Sequence, residues 1–305
     1  MRVAAIDVGT NSTRLLVAEE HPDGFRTLDR RTIITRLGQG VDEHRALATE
    51  AVERTLRVIA DYAAACGEYG VERLRVTGTS AVRDASNRDR FFAGVHLLTG
   101  VDAEVLSGDQ EARATFLGVR WDLDEDHPML VVDIGGGSTE LIYGDAEPQQ
   151  LVSMDVGCVR MLEKHLYSDP PTGAEIEALR IEVFGSLEES KASIHAPPGT
   201  RLIGVAGTVT QLATLKSGLP LHDPEVTHHM VLSHGDVRLL ARRLGSLPVA
   251  KRKETRGLDP GRADVIIAGA HILLCVMETF DSPEVLVSEK DILDGLVLEL
   301  LESLE

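Results

Sequence analysis

Cysteine, positive charge and long apolar runs are all scarce in this chain of 305 residues. The three cysteines, Cys66, Cys158 and Cys275, are odd in number, far apart and outside any C-x-x-C pair. That argues against a disulfide framework and a structural zinc site, and fits a reducing cytoplasm. The longest apolar stretch, residues 265–277, contains His271 and is too short to span a bilayer. The N-terminus does not read as a signal peptide, because Asp7 interrupts its apolar run after a few residues. Lysine and arginine total 31 against 49 aspartates and glutamates, and the net charge of −18 speaks against a nucleic-acid-binding surface. The same charge repels a polyanionic substrate unless a local cation or a metal offsets it. The length allows two domains of ordinary size, each with its own core.

What the chain does have is a glycine turn, twice. Val131-Val132-Asp133-Ile134-Gly135-Gly136-Gly137-Ser138-Thr139-Glu140-Leu141-Ile142 reads as a β-hairpin with a tight polar turn between two apolar runs. Three successive glycines leave no Cβ to keep an anion from the backbone N–H groups, and Ser138 and Thr139 add hydroxyl donors. At the N-terminus the pattern recurs, with Asp7, Gly9, Ser12, Thr13 and Leu15 in register with Asp133, Gly135, Ser138, Thr139 and Leu141. Such a shared pattern suggests two related halves. A third turn, Gly204-Val205-Ala206-Gly207-Thr208-Val209-Thr210, follows an apolar strand and leads into a helical pattern. The stretch after Asp133 is not a dinucleotide fingerprint, since Glu140 stands where the third glycine belongs, nor a Walker loop, since no Gly-Lys-Ser/Thr follows. The two copies together with the third turn point to a phosphate cleft between paired domains.

Strands are predicted at residues 3–6, 13–19 and, after the Pro22-Asp23-Gly24 turn, toward Ile34. A helix over 49–69, with Val52, Leu56, Ile59 and Ala63 at helical spacing, precedes a strand at 74–77. Thr79-Ser80-Ala81-Val82-Arg83-Asp84-Ala85-Ser86-Asn87 then turns into a helix reaching Leu98, followed by a strand at 103–106 and a helical face on Ala112, Phe116 and Val119. This alternation implies parallel strands with ligand sites at their carboxyl ends, where Arg83 and Glu111 fall. The acidic segment 122–128 is the boundary candidate. Beyond it the meander repeats at 129–134, 139–143 and 150–154, with helices near Arg160 and over 175–193 and a strand at 201–205. A strand at 230–232, a helix over 235–244 capped by Ser233, a long helix over 262–279 and a strand at 284–287 follow. The last helix, 292–304, carries Leu293, Leu296, Leu300 and Leu304 and is expected to return to the first domain. The expected domains are 1–124 with 289–305, and 125–288.

The two turns, the Thr79 to Asn87 stretch, Ser107-Gly108-Asp109-Gln110-Glu111-Ala112-Arg113 and Arg262-Ala263-Asp264-Val265-Ile266 resemble the exopolyphosphatase/guanosine pentaphosphate phosphatase family over almost the whole chain. The glycine turns alone indicate the wider superfamily of actin, heat-shock chaperones and sugar kinases; the Arg83 and Glu111 motifs are specific to the phosphatases. The resemblance implies an α/β fold of two ribonuclease-H-like domains in the short, two-domain form, each a mixed sheet flanked by helices, with an interdomain cleft. It also implies Mg²⁺-dependent release of terminal phosphate.

Glu111 matches the family's catalytic glutamate, which positions and deprotonates the attacking water. Read without the family, it is a first-turn helix acid favoured by the dipole. Gln110 stands where the family has a second Glu, which removes one negative charge beside the base. Arg83 can bind two phosphate oxygens and stabilise transferred charge, or is a surface helix-start arginine. Asp7 and Asp133 correspond to loop acids that hold Mg²⁺, and Glu140 to a family acid that orients metal or water. Asx turn capping is the plainer reading for either aspartate alone. Phosphate binding falls to Thr10, Asn11, Ser12, Gly135, Gly136, Gly137, Ser138, Thr139, Gly207 and Thr208, and Arg160 matches a further family position. Lys251, Arg252, Lys253 and Arg256 form a basic run that is either a track for distal phosphates or a solvated face. His222, His228, His229 and His234 lack i, i+4 spacing and an acid cluster, and are expected as loop and cap residues.

The expectation is a cytoplasmic exopolyphosphatase acting on inorganic polyphosphate, with no nucleic-acid or membrane partner and a homodimer as the candidate assembly. Guanosine pentaphosphate is the alternative substrate. A non-hydrolytic sensor of polyphosphate or of guanosine tetra- and pentaphosphate is disfavoured by the retained Glu111, and a kinase by the Arg83 and Glu111 motifs.

Overall fold

The computed structural model describes residues 1–123 and 127–303. The chain divides into two compact units, Met1–Leu123 with Lys290–Glu305, and Asp124–Glu289. Residues 124–126 of the expected boundary segment, and Leu304 of the last helix, lie outside the described residues.

In the first unit β1 (Arg2–Val8), β2 (Ser12–His21) and β3 (Gly24–Ile34) form the antiparallel meander. There follow α1 (Val41–His44), α2 (Thr49–Glu68), β4 (Arg73–Gly78), α3 (Ser80–Asp84), α4 (Arg88–Thr99), β5 (Glu104–Val105) and α5 (Gly108–Trp121). The sheet order is β3-β2-β1-β4-β5, with β4 parallel to both of its neighbours. The central strand β1 feeds two cores, because successive side chains point to opposite faces. Ala4, Ile6 and Val8 pack with Ile59 of α2 and Phe91 of α4, whereas Val3 and Ala5 pack with Ala114 of α5 and with Leu296.

The second unit repeats the scheme. The meander of β6 (Met129–Ile134), β7 (Thr139–Gly144) and β8 (Pro148–Met154) leads through α6 (Cys158–His165) and α7 (Gly173–Ser190) to β9 (Arg201–Val205). Then come α8 (Ala206–Ser217), α9 (Pro224–Thr227), β10 (Val231–Ser233), α10 (His234–Gly245), α11 (Val249–Lys253), α12 (Ile266–Thr279) and β11 (Glu284–Val287). The order β10-β11-β9-β6-β7-β8 again sets parallel strands beside a meander. Helix α12 packs against α6, α7, α8 and α10 and is apolar on almost every side for that reason. No helix among the described residues is long and apolar enough to cross a membrane.

The chain then rejoins the first unit as α13 (Ile292–Glu302), which packs on α5 and β1. Two glycines make that crossing possible. A Cβ on Gly295 would lie 1.8 Å from the Ala114 carbonyl oxygen, and one on Gly118 would lie 2.1 Å from that of Asp291.

Two helix starts are set by local contacts. The helix predicted to follow the Thr79 to Asn87 stretch and reach Leu98 is α4, and the stretch itself holds the short α3: Ala85 is extended, and the Asn87 amide bonds both backbone groups of Leu47, at 2.8 and 2.9 Å. The helix predicted over 262–279 begins at Ile266, because Asp259 accepts from Gly261 N–H at 2.8 Å and caps a separate 3-10 turn at Pro260–Arg262.

Gly295→Ala is expected to lower the unfolding free energy by roughly 1–3 kcal/mol, as overpacking of a close backbone contact does, measured as a lower urea midpoint. His271 on α12 gives a pH dependence. Burial first, then the Arg180 charge, hold its imidazole down at about 4 against the ordinary 6.5. The unfolded chain therefore binds the extra proton between those values, and stability is lost as pH falls through that window, by up to about 3 kcal/mol. Urea midpoints at pH 7 and pH 5 measure it, and His271→Gln is expected to flatten the difference.

Candidate active site

The two glycine turns are fixed from one side. In the first, Gly9 N–H donates to Ser12 O at 2.9 Å; in the second, Gly135 N–H donates to Ser138 O at 3.0 Å. The chain that follows each meander then takes the turn's carbonyls. Gly38 N–H donates to Thr10 O at 2.9 Å, while Thr35 and Arg36 N–H donate to Asn11 O at 3.1 and 2.9 Å. Cys158 N–H donates to Gly135 O at 2.9 Å, Val159 and Arg160 N–H to Gly136 O at 2.8 and 3.2 Å, and Arg160 Nε to Gly137 O at 2.8 Å. The first donors of α6, which a helix leaves without intrahelical partners, are thus used on the turn. A planar trans peptide points its C=O and its N–H in opposite directions. Holding the carbonyls of residues 135–137 toward α6 therefore turns the N–H groups of Gly136, Gly137 and Ser138 the other way, as a cradle for an anion. Gly157 permits this approach, since a Cβ there would lie 2.3 Å from Gly136 O.

Of the threonines expected to bind phosphate, Thr139 has its hydroxyl engaged inside the second unit and Thr208 is buried there. Thr139 Oγ1 donates to Val156 O at 2.5 Å, just as Thr13 Oγ1 pairs with Thr35 Oγ1 at 2.8 Å in the first turn. Thr208 is buried against Gly269, near the Cys158 thiol, which burial pushes up to about 11. Neighbouring Gly207 instead lies under the side chain of Arg262, the first residue of the Arg262 to Ile266 motif. A Cβ on it would meet the Arg262 guanidinium at 2.0 Å, and Ala206 before it adopts a φ of 65°, a left-handed conformation costly for a residue with a Cβ.

The acids differ between the turns. Asp133 and Glu140 are register partners on β6 and β7, both buried, and Ser153 Oγ on β8 donates to Glu140 Oε1 at 2.7 Å. Asp7 faces Arg14, whose Nη2 lies 2.6 Å from its Oδ2. Burial raises the Asp7 carboxyl above its ordinary range against the pull of Arg14. Asp7 Oδ1, Asn11 Nδ2 and Ser80 Oγ are buried without a hydrogen-bond partner, as groups that take a ligand are.

Arg83 and Glu111 are brought together. Arg83 begins just past β4 on α3, Glu111 sits in the first turn of α5, and Arg83 Nη1 lies 2.9 Å from Leu106 O and 3.4 Å from Glu111 Oε2. Gln110 has a separate task. Its side-chain oxygen accepts from Ser107 N–H at 2.9 Å, and its own N–H donates to Ser107 Oγ at 3.2 Å, a reciprocal capping box.

Arg252 of the basic run is 2% exposed, holds the carbonyls of Leu247 and Ala263 at 3.0 and 2.8 Å, and pairs with Asp169, so it is an internal brace and no part of a phosphate track. His222 bonds Glu289 at 3.2 Å and His234 bonds Glu278 at 3.2 Å, while His228 Nδ1 accepts from Glu289 N–H at 3.1 Å.

A protein-family model described as the Ppx/GppA phosphatase family matches residues 16–304. A curated relative called exopolyphosphatase 2, from Mycobacterium tuberculosis, is 39% identical over 98% of each chain. A guanosine-5′-triphosphate,3′-diphosphate pyrophosphatase from Vibrio vulnificus is 29% identical, and the chain spans 59% of that protein. Among solved structures, an exopolyphosphatase-like protein aligns with a TM-score of 0.95 at 35% identity, covering 100% of this chain and 99% of its own. The Aquifex aeolicus member of the Ppx/GppA family aligns at 0.84 and 32% identity, with 100% and 99% covered.

Because Gly157 is the point of backbone contact, Gly157→Ala is expected to shift α6 off the turn and lower stability by roughly 1–3 kcal/mol. Hydrogen exchange should locate the change in residues 135–138 and the start of α6, and a change confined elsewhere contradicts the account.

Proposed function

The chain belongs to the Ppx/GppA phosphatase family, and from that premise we propose that it is an exopolyphosphatase releasing terminal orthophosphate from inorganic polyphosphate. The observation that carries the reading is the pairing of Arg83 with Glu111 at the ends of two parallel strands. Transfer of a phosphoryl group to water needs an acceptor for the water's proton, fixed donors on the phosphoryl oxygens, and positive charge near them. Glu111 supplies the acceptor. Arg83, anchored on Leu106 O, is kept beside it and offers its remaining donors to phosphate oxygens. The N–H groups of Gly136, Gly137 and Ser138 supply fixed donors that need no reordering when substrate arrives.

Asp133 and Glu140 suit Mg²⁺, a hard cation that takes carboxylate oxygens, and Ser153 holds Glu140 in one orientation. Held by these two carboxylates, the ion would offset negative charge on the phosphate oxygens. A cytoplasmic location is supported by three buried, unbridged cysteines. Polyphosphate is favoured over guanosine pentaphosphate because the relative named exopolyphosphatase is 39% identical to this chain, against 29% for the relative named for the guanosine substrate.

Glu111→Gln, shown by circular dichroism to be folded, is expected to lose about 10²–10⁴-fold in kcat on polyphosphate, with Mg²⁺ chelation abolishing the parent's activity. Phosphate release by the variant at the parent's rate, or faster release from guanosine pentaphosphate than from polyphosphate, sinks the assignment.

A further inference from the structure

Arg83 sits on a helix too short to hold itself in place. Helix α3 has five residues, and no side chain caps its start among the described residues. A first helical turn is unfavourable by itself, so the position of α3 has to come from what it is tied to. Its start is tied to the sheet, where Thr79 N–H donates to Val8 O at 3.2 Å. The chain leaving its far end is tied to a segment 40 positions earlier. Ser86 N–H and Ser86 Oγ both donate to Arg45 O at 2.8 Å, Asn87 Nδ2 donates to Leu47 O at 2.9 Å, and Leu47 N–H donates to Asn87 Oδ1 at 2.8 Å.

That segment is the end of the loop whose first residues, Thr35, Arg36 and Gly38, hold the carbonyls of Asn11 and Thr10. Between its ends the loop fills the gap from turn to helix. A Cβ on Gly38 would lie 2.3 Å from Thr10 Cγ2 and 2.9 Å from Ala81 Cβ of α3, and α1, within the loop, packs on α3. Arg36 and Arg45 near its two ends have φ of 51° and 52°, left-handed values that persist only where the surroundings over-determine them.

We infer that residues 35–47 form a strap that positions Arg83 against the first turn, and that Asn87 is its fastening, a positioning residue acting on the reaction through Arg83. One amide takes both the N–H and the C=O of Leu47, which fixes orientation as well as distance, and a hydroxyl or a carboxylate cannot donate and accept in this way. Asn87 is exposed, so these two bonds hold a place and enclose no core. Releasing them frees the end of α3 to drift, and Arg83 with it, away from Leu106 O and Glu111. A misplacement of about 1 Å in a group that meets the transition state can cost about 10²-fold in rate.

The inference rests on the phosphatase reading above, and its test is a double-mutant cycle on phosphate release from polyphosphate by the parent, Asn87→Ala, Arg83→Gln and the double variant. Asn87→Ala is expected to keep the parent's circular dichroism and to lose about tenfold or more in kcat, with KM within about threefold. Added to Arg83→Gln, it is expected to change kcat by less than about threefold, because the guanidinium it positions is gone. An Asn87→Ala kcat within about threefold of the parent overturns the inference, and so does a loss that multiplies with that of Arg83→Gln, the mark of a merely structural role. If Asn87→Ala fails to fold, Ser86→Ala, which removes one of the two bonds to Arg45 O, takes its place in the cycle. If Arg83→Gln releases no measurable phosphate, the split between kcat and KM in Asn87→Ala decides by itself. A parent that releases no phosphate removes the phosphatase reading and this inference with it; an active parent matched by Asn87→Ala removes this inference alone.

Discussion

The peptide plane is the constraint on which this structure depends. Because its carbonyl and amide point oppositely, a turn whose carbonyls are all engaged on one side must offer its amides on the other. The second glycine turn is held this way by Cys158 to Arg160, and the carbonyls of Thr10 and Asn11 in the first are held by residues 35–38. Such an arrangement is settled at folding. A flexible glycine loop would lose conformational freedom each time it closed on an anion, whereas a loop already bonded on its far face has little left to lose.

The same hold explains which polar side chains are available and which are not. Thr13 and Thr139 sit at equivalent positions, and both direct their hydroxyls inward, toward the segment that grips the turn. They stabilise the cradle and do not line it. Arg160 acts likewise through its Nε on Gly137 O. What distinguishes the halves is the residue across from the acid, and a single difference in one register position, Arg14 against Glu140, gives two otherwise similar turns opposite electrostatic characters.

Much of this was legible in the sequence, because the signals were local. Alternating apolar residues and glycine turns gave the two meanders, and the in-register copies pointed to related halves before any strand order was known. The missed features all depend on residues distant in the chain. Nothing near Asn87 announces that Leu47 will occupy its amide just ahead of α4. Within the run from Lys251 to Lys253, spacing does not distinguish the buried Arg252 from its exposed neighbours; only the carbonyl of Ala263 does. Arg14 looks like an ordinary strand arginine until Asp291, 277 positions away, is seen to hold it. Arg262 belongs to a sequence motif, but its place over Gly207 is set by the tertiary structure.

Gln110 carries a last consequence. The capping box at the start of α5 needs an acceptor on that side chain, and an amide oxygen or a carboxylate serves equally. The helix start that sets Glu111 in place is therefore indifferent to whether residue 110 bears charge. Geometry and local field are uncoupled at this one position: the charge beside Glu111 can change by a full unit while its scaffold stays where it was.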